Sequence, residues 1–316
     1  MCAHHELMPS TDTMHWGYLD GALDPVIRVS AGDTVTLHSV AGGAEYLPNQ
    51  DFPAVVLDDH RAVLDALPRG PGPHILTGPV WVEGAEPGDA LRVDIVDVRL
   101  RDDWAFNVIR PTAGTLPDDY PVGSTVHLQL DRENVTARTP WGIELPARPF
   151  FGLMATAPRT ELGRLSSIAP GPFGGNMDIK ELIAGATLFL PVFVPGALFS
   201  AGDSHALQGD GEVCVTAAET SLVGTFRLDL VKGAALAGPR AQTPTHLITM
   251  GFDENLETAV RMALRDLISW IMQRGDLDSE SAYRLCSLAG DLRVSQMVNQ
   301  KKGIHMMLPL AALGGR

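Results

Sequence analysis

The densest run of chemically capable side chains is GDSHALQGDGE, residues 202–212. It follows the apolar segment PVFVPGALFS, so it emerges from what reads as core. In an extended backbone, residues two apart point to the same face, which lets Asp203 and His205 converge on one ion. A carboxylate and an imidazole are ordinary zinc ligands, and a catalytic zinc takes three protein ligands and keeps a position for water. The third ligand is sought on a strand predicted from Glu212 to Ala218, where alternation puts Val213, Val215, Ala217 and Glu219 on one face. A carboxylate on an apolar face is costly to bury unpaired, so Glu219 needs a cation or strong donors nearby. Its plain alternative is a strand-end acid that reaches solvent. For Asp203 and His205 the alternative is an Asp-capped turn beside a satisfied histidine. Gln208 opens the turn to Gly211, whose glycines permit close backbone approach.

Other candidates are more isolated. Asn176 and Asp178 lie in GPFGGNMD, where small residues leave room for a ligand, although Asp178 before Ile-Lys-Glu-Leu also reads as the cap of a short helix. Glu83, in VWVEGAEPGD, ends a strand and could enter a cleft, or simply flank a turn on the surface. His15 and His74 stand near strand starts, where each could complete a metal shell or serve structure alone. A serine nucleophile elbow is missing, as are the Rossmann and P-loop glycine signatures. Cys286 falls in a predicted helix and reads as a small buried hydrophobe.

The elements that must hold these groups are mostly strands. Val26 to Ser30 and Thr34 to Val40 flank an Ala-Gly-Asp turn, and Glu86-Pro-Gly-Asp89 precedes a strand over Ala90 to Val98, with Leu91, Val93 and Ile95 on one face. Further strands are predicted at Thr125 to Leu130, Leu188 to Val194 and Gly224 to Val231, and Arg159 to Lys180 reads as a long irregular loop. Helical periodicity begins only near the C-terminus. It spans Asp253 to Arg274 with Gly275 as C-cap, and a second helix starts after Asp278 and runs to Gly290. The chain of 316 residues is therefore expected to be α+β, mainly β, with a sandwich or barrel-like core and helices at about 254–290. One domain over 1–316 is expected, with two intertwined β subdomains as its variant form.

Composition narrows the function. A formal net charge of −14 argues against nucleic acid and against an anionic membrane surface. Three widely spaced cysteines make neither a disulfide framework nor a cysteine zinc site. The N-terminus has no signal-peptide pattern and no apolar run is long enough to span a bilayer, so the cytosol is the expected compartment.

The segments HWGYLDGALDPVIRVSAGDTV, HILTGPVWVEGAEPGD, FGGNMDIKEL, LFLPVFVPGALFSAGDSHALQGDGEVCVTAAET and LCSLAGDLRVSQ, in that order, resemble the acetamidase/formamidase family from about Met14 onward. Ser204 departs from a glycine common there, and Ala218 from a bulkier residue. The resemblance implies hydrolysis of short amides to carboxylate and ammonia, or lactam opening. It implies a β-rich fold, a divalent metal (zinc, or calcium or manganese) and a homodimer or larger homo-oligomer. Carried over, it makes Asp203, His205 and Glu219 metal contacts, and Asp178, Asn176, Glu83 and His74 pocket residues. Glu83 or Asp178 would then carry the proton, and Asn176 or the backbone at Gly175 would face the oxyanion, with Gln208 beside the pocket. The competing expectation is a non-catalytic β protein that binds a small ligand and holds a structural ion.

Overall fold

The computed structural model describes residues 2–275 and 277–314. Two large sheets face one another. The first has nine strands, in the order His4–Leu7, Thr34–His38, Leu222–Val231, Ala90–Leu100, Thr187–Pro191, Arg240–Gln242, His246–Asp253, Lys302–Pro309 and Asp291–Gln296. The second has six, in the order Gly174–Asn176, Phe150–Ala155, Phe199–His205, Ile75–Val82 and Met14–Trp16, with Ile27–Val29 parallel to Ile75–Val82. A four-stranded sheet runs from Glu144–Pro146 through Thr136–Arg138 and Ser124–Asp131 to Trp104–Ile109. The fold is mainly β, as expected, but the sheets are layered and open; none of those described closes into a barrel.

Alternation explains the layering. Along Ala90–Leu100, Leu91, Val93 and Ile95 are buried while Arg92 is exposed. Their apolar face meets Phe151, Met154, Phe199 and Ala201 of the second sheet. Phe226 sits between the layers, edge-on to Phe151 at 5.3 Å and to Phe199 at 5.8 Å between ring centroids, a packing favoured by the ring quadrupole. The two Gly-Asp turns share one device: Asp33 accepts from Ser30 N and Asp89 from Glu86 N, each at 2.9 Å. These carboxylates close the turn that starts each strand.

The helices lie where periodicity put them. Helix α2, Leu256–Arg274, is capped by the Asn255 side chain, and helix α3, Ser279–Ala289, by that of Asp278. Both cover the outer face of the His246–Asp253 and Lys302–Pro309 strands with Leu267, Ile271, Ala282 and the buried Cys286. A shorter helix, α1 (Asp58–Ala66), has no counterpart among the predicted elements, and it has no side-chain cap. No described helix is long and apolar enough to cross a membrane.

His15 belongs to this core rather than to the cavity described below. It is buried on Met14–Trp16, its Nδ1 is 3.2 Å from Gly78 O, and its Nε2 has no partner. Burial pushes its pKa down from 6.5 to about 4. The folded state thus binds fewer protons than the unfolded one between those values. Stability is complete above pH 6.5 and falls as pH drops toward 4, by about 3 kcal/mol. His15→Asn is expected to lose correspondingly less stability across that window, measured by urea unfolding at pH 7 and pH 4.5 (within the range the shift defines).

Candidate metal centre

The Phe199–His205 strand carries Asp203 to the foot of a cavity of about 370 Å³, with His205 fully buried beside it. The segment after it does not continue as a strand. Glu212 and Val215 take positive φ (44° and 100°), and Val215 N bonds Glu212 O at 3.1 Å, so residues 212–215 form a turn. The predicted Glu212–Ala218 strand is therefore absent, because its alternation is interrupted by these left-handed residues. The chain then returns between two strands. Glu219 exchanges backbone hydrogen bonds with Phe106, 2.9 Å each way, and Thr220 N donates to Ser204 O at 2.8 Å. This pins Glu219 beside His205 without any strand of its own.

The result is a fully buried imidazole ringed by carboxylates. His205 Nε2 lies 3.3 Å from Glu219 Oε1, 3.4 Å from Asp203 Oδ1 and 4.0 Å from Glu212 Oε1. Two groups share it, Asp178 with Asp203 on one side and Glu212 with Glu219 on the other, each with donor atoms within 4.8 Å. The sequence reading joined Asp203, His205 and Glu219. The fold brings these three together and adds Asp178 and Glu212. Asp178 is no helix cap: no helix follows it, its φ is 52°, and its carboxylate accepts from Asn299 Nδ2. Asp178, Asp203 and Glu212 all sit at positive φ, a conformation that costs roughly 1–3 kcal/mol for a residue with a side chain and concentrates at functional sites.

Burial and mutual charge set the protonation of the cluster. Burial, then the Asp203 charge, pushes the Asp178 carboxyl well up; burial, then Asp178, does the same to Glu212. Burial favours the neutral form of His205 as well, but Glu219 and Asp203 outweigh it and hold the imidazole well above its usual range. Asp203 is likewise buried, yet His74 and His205 keep its carboxyl below the carboxylate range. A metal ion is the economical solution to such a cluster, because one divalent charge satisfies several acids at once.

Two further observations test whether an ion fits. His205 Nδ1 and Nε2, Asp178 Oδ1 and Asn176 Oδ1 are buried without hydrogen-bond partners, and buried polar atoms of that kind are rare. Gly152 supplies the space. A Cβ there would stand 2.7 Å from His205 Cε1 and 2.8 Å from Asp203 Oδ2, and against Asp178 Oδ1. The donor set suits a divalent ion, and the missing Cβ of Gly152 is what lets the three side chains converge there.

The remaining predicted residues divide by position. His74 lines the cavity, its Nδ1 hydrogen-bonded to Ser167 Oγ at 2.9 Å and its Nε2 3.5 Å from Asp203 Oδ1. Asn176 lines it too; its Nδ2 donates one N–H to Ile168 O at 3.2 Å, and its Oδ1 has no partner. Gly175 is paired with Met154 within the Gly174–Asn176 strand, outside the cavity lining. Gln208 also lies outside it and ties Asp178 O (3.0 Å) to Ser295 O (3.2 Å). Glu83 is not brought to the cluster: it follows Ile75–Val82 on the surface, its side chain 53% exposed and 3.4 Å from Arg28 Nη1. Glu212, Asn299 and Gly152 escaped sequence reasoning. Only Glu212 left a signal there, as the acid closing the GDGE run.

The model of the acetamidase/formamidase family matches residues 21–168 and 163–313. The chain is 30% identical to an acetamidase of Mycolicibacterium smegmatis over 219 residues, 51% of this chain and 54% of that one. It is 31% identical to a formamidase of Methylophilus methylotrophus over 191 residues, 44% of this chain and 47% of that one. The chain thus spans about half the length of the curated relatives it matches. The crystal structure of an acetamidase from Bacillus halodurans superposes with a TM-score of 0.83 at 29% identity, covering 98% of this chain and 97% of that one.

Proposed function

The chain belongs to the acetamidase/formamidase family, and from that premise we propose that it hydrolyses the C–N bond of a small amide, releasing ammonia or opening a lactam. The observation that carries this reading is the buried His205, ringed by Asp178, Asp203, Glu212 and Glu219 at the foot of a cavity. His205 with Asp203 and Glu219 would hold the ion, with Asp178 and Glu212 close by; zinc suits the imidazole, and calcium or manganese the oxygens. Once bound, such an ion lowers the pKa of a coordinated water to about 7 and polarises the amide carbonyl.

The side chains do the rest. Glu212 lines the cavity beside His205, so it is placed to take a proton from water and pass it to the departing nitrogen. Asn176 Oδ1, left without a partner, accepts from the substrate NH₂ and orients the carbonyl. His74 fixes the Asp203 carboxylate from the other side. Apolar walls from Ile75, Ile168 and Val298 limit water around the reacting carbon. We place the enzyme in the cytosol as a homo-oligomer; the exposed Trp141, Ile143 and Val213 are side chains a second subunit could cover.

Ammonia release from formamide, acetamide and propionamide, and appearance of a free amine on opening of a γ-lactam, test the reading. Turnover is expected on at least one acyclic amide, with loss of more than about 90% after chelation and recovery on adding zinc back. Turnover that resists the chelator would remove the metal from the mechanism. Absence of any turnover would favour the ligand-binding reading.

A further inference from the structure

The cavity is larger than the smallest amides require. At about 370 Å³ it lies within the size range of small-molecule sites, and since a water occupies about 30 Å³ in the liquid, acetamide would leave most of it empty. Arg110 is the one lysine or arginine in its lining. No carboxylate among the described residues lies within ion-pair distance of it; its guanidinium donates to Tyr46 Oη at 3.0 Å. Glu45, near enough for its carboxyl to sense Arg110, is already held by Arg69 through both oxygens. A guanidinium is a planar fork of donors matched to a carboxylate, and among the described residues Tyr46 Oη is the one acceptor it reaches.

The wall between Arg110 and the acid cluster is continuous. Glu219 is bridged to Phe106, the Phe106 ring stacks on Tyr46 at 4.8 Å and 9°, and Tyr46 carries Arg110. Phe106 and Arg110 are four residues apart on an extended run, roughly 13 Å between Cα atoms at full extension. An anion entering a cavity whose floor is acidic needs a cation on the wall, and Arg110 supplies it. We propose that Arg110 is a carboxylate-binding subsite, and that the preferred substrates are short amides whose acyl chain ends in a carboxylate, such as monoamides of small dicarboxylic acids. This rests on the amide-hydrolase reading for its chemistry. The subsite itself rests on the unpaired guanidinium and the cavity.

The test compares each acid amide with its neutral isostere: succinamate with butyramide, and glutaramate with valeramide. Ammonia release is measured for the wild type and Arg110→Met, with calorimetric titration of succinamate into both. The wild type is expected to favour the acid amides in kcat/KM by roughly tenfold or more, mainly through KM. In Arg110→Met that ratio should collapse to one or below, and Arg110→Lys should restore part of it. If butyramide matches succinamate in the wild type, or the ratio survives in Arg110→Met, the subsite is wrong while amide hydrolysis stands. If no amide releases ammonia, hydrolysis is wrong and the titration decides the subsite. Succinamate binding that weakens at least tenfold in the variant keeps it; undetectable or unchanged binding overturns it.

Discussion

His205→Ala is expected to abolish ammonia release, by more than about 10³-fold, and to strip the protein of stoichiometric metal. The imidazole is the one group that belongs to both halves of the cluster, with Asp178 and Asp203 on one side and Glu212 and Glu219 on the other. Its removal leaves four buried or nearly buried carboxylates facing one another, and like charges so placed hold protons rather than a cation. The strand that carries it is held by pairing with Phe150–Ala155 and Ile75–Val82, so circular dichroism should remain that of a folded β protein. Elemental analysis and a coupled ammonia assay on the same preparation check the prediction. Full activity in the variant would refute the assignment of this cluster as the reaction centre.

Gly152→Ala should be nearly as damaging although it removes nothing. The new methyl would press against Asp178 Oδ1 and come within 2.8 Å of Asp203 Oδ2. Real Cβ atoms do not approach that closely, and none of these partners can retreat: Asp178 is held by Asn299, and Asp203 lies in mid-sheet between His74 and His205. Overpacking of this kind costs about 1–3 kcal/mol of stability. Displaced ligands should weaken metal binding and activity by roughly 10- to 100-fold or more, the scale on which disturbed ligand orientation acts. Gly209→Ala is the matched control, since nothing lies within 4 Å of its would-be Cβ. Metal affinity by competition with a chromophoric chelator should separate the two. Equal affinities would show that the side chains converging at Gly152 do not hold a metal.

Local patterning made much of the scaffold legible. Alternation in Ala90–Leu100 predicted which side chains face the second sheet, and the apolar spacing with Gly275, Asp278 and Gly290 at the ends located both C-terminal helices. These signals are local, because a strand or helix buries one face whatever it packs against. Helix α1 (Asp58–Ala66) has Asp58 and Asp59 in its first turn but no side-chain cap, and it buries only His60 and Val63, so its local signal is weak.

The site divides along the same line. The residue types and close spacing of Asp203 and His205 marked them in the sequence as a pair, although Asp203 reaches its place through a left-handed backbone (φ 51°) that strand alternation does not foresee. Glu219 was reached by an alternation that the structure does not contain: its place beside His205 comes from pairing with Phe106, 113 residues away in the sequence, counted from 219 back to 106. Glu212 enters the cluster only because it and Val215 turn left-handed, which no residue type there demands. Asp178 is held by Asn299 across 121 residues, and Gly152 matters only for what stands opposite it. Sequence by itself located several of the strands and the C-terminal helices, and marked Asp203 and His205, since those signals depend on neighbours along the chain. The rest of the cluster, the cavity above it and the lone guanidinium on its wall were decided by tertiary structure, because contacts between distant segments and strained backbone are set only when the sheets close on one another.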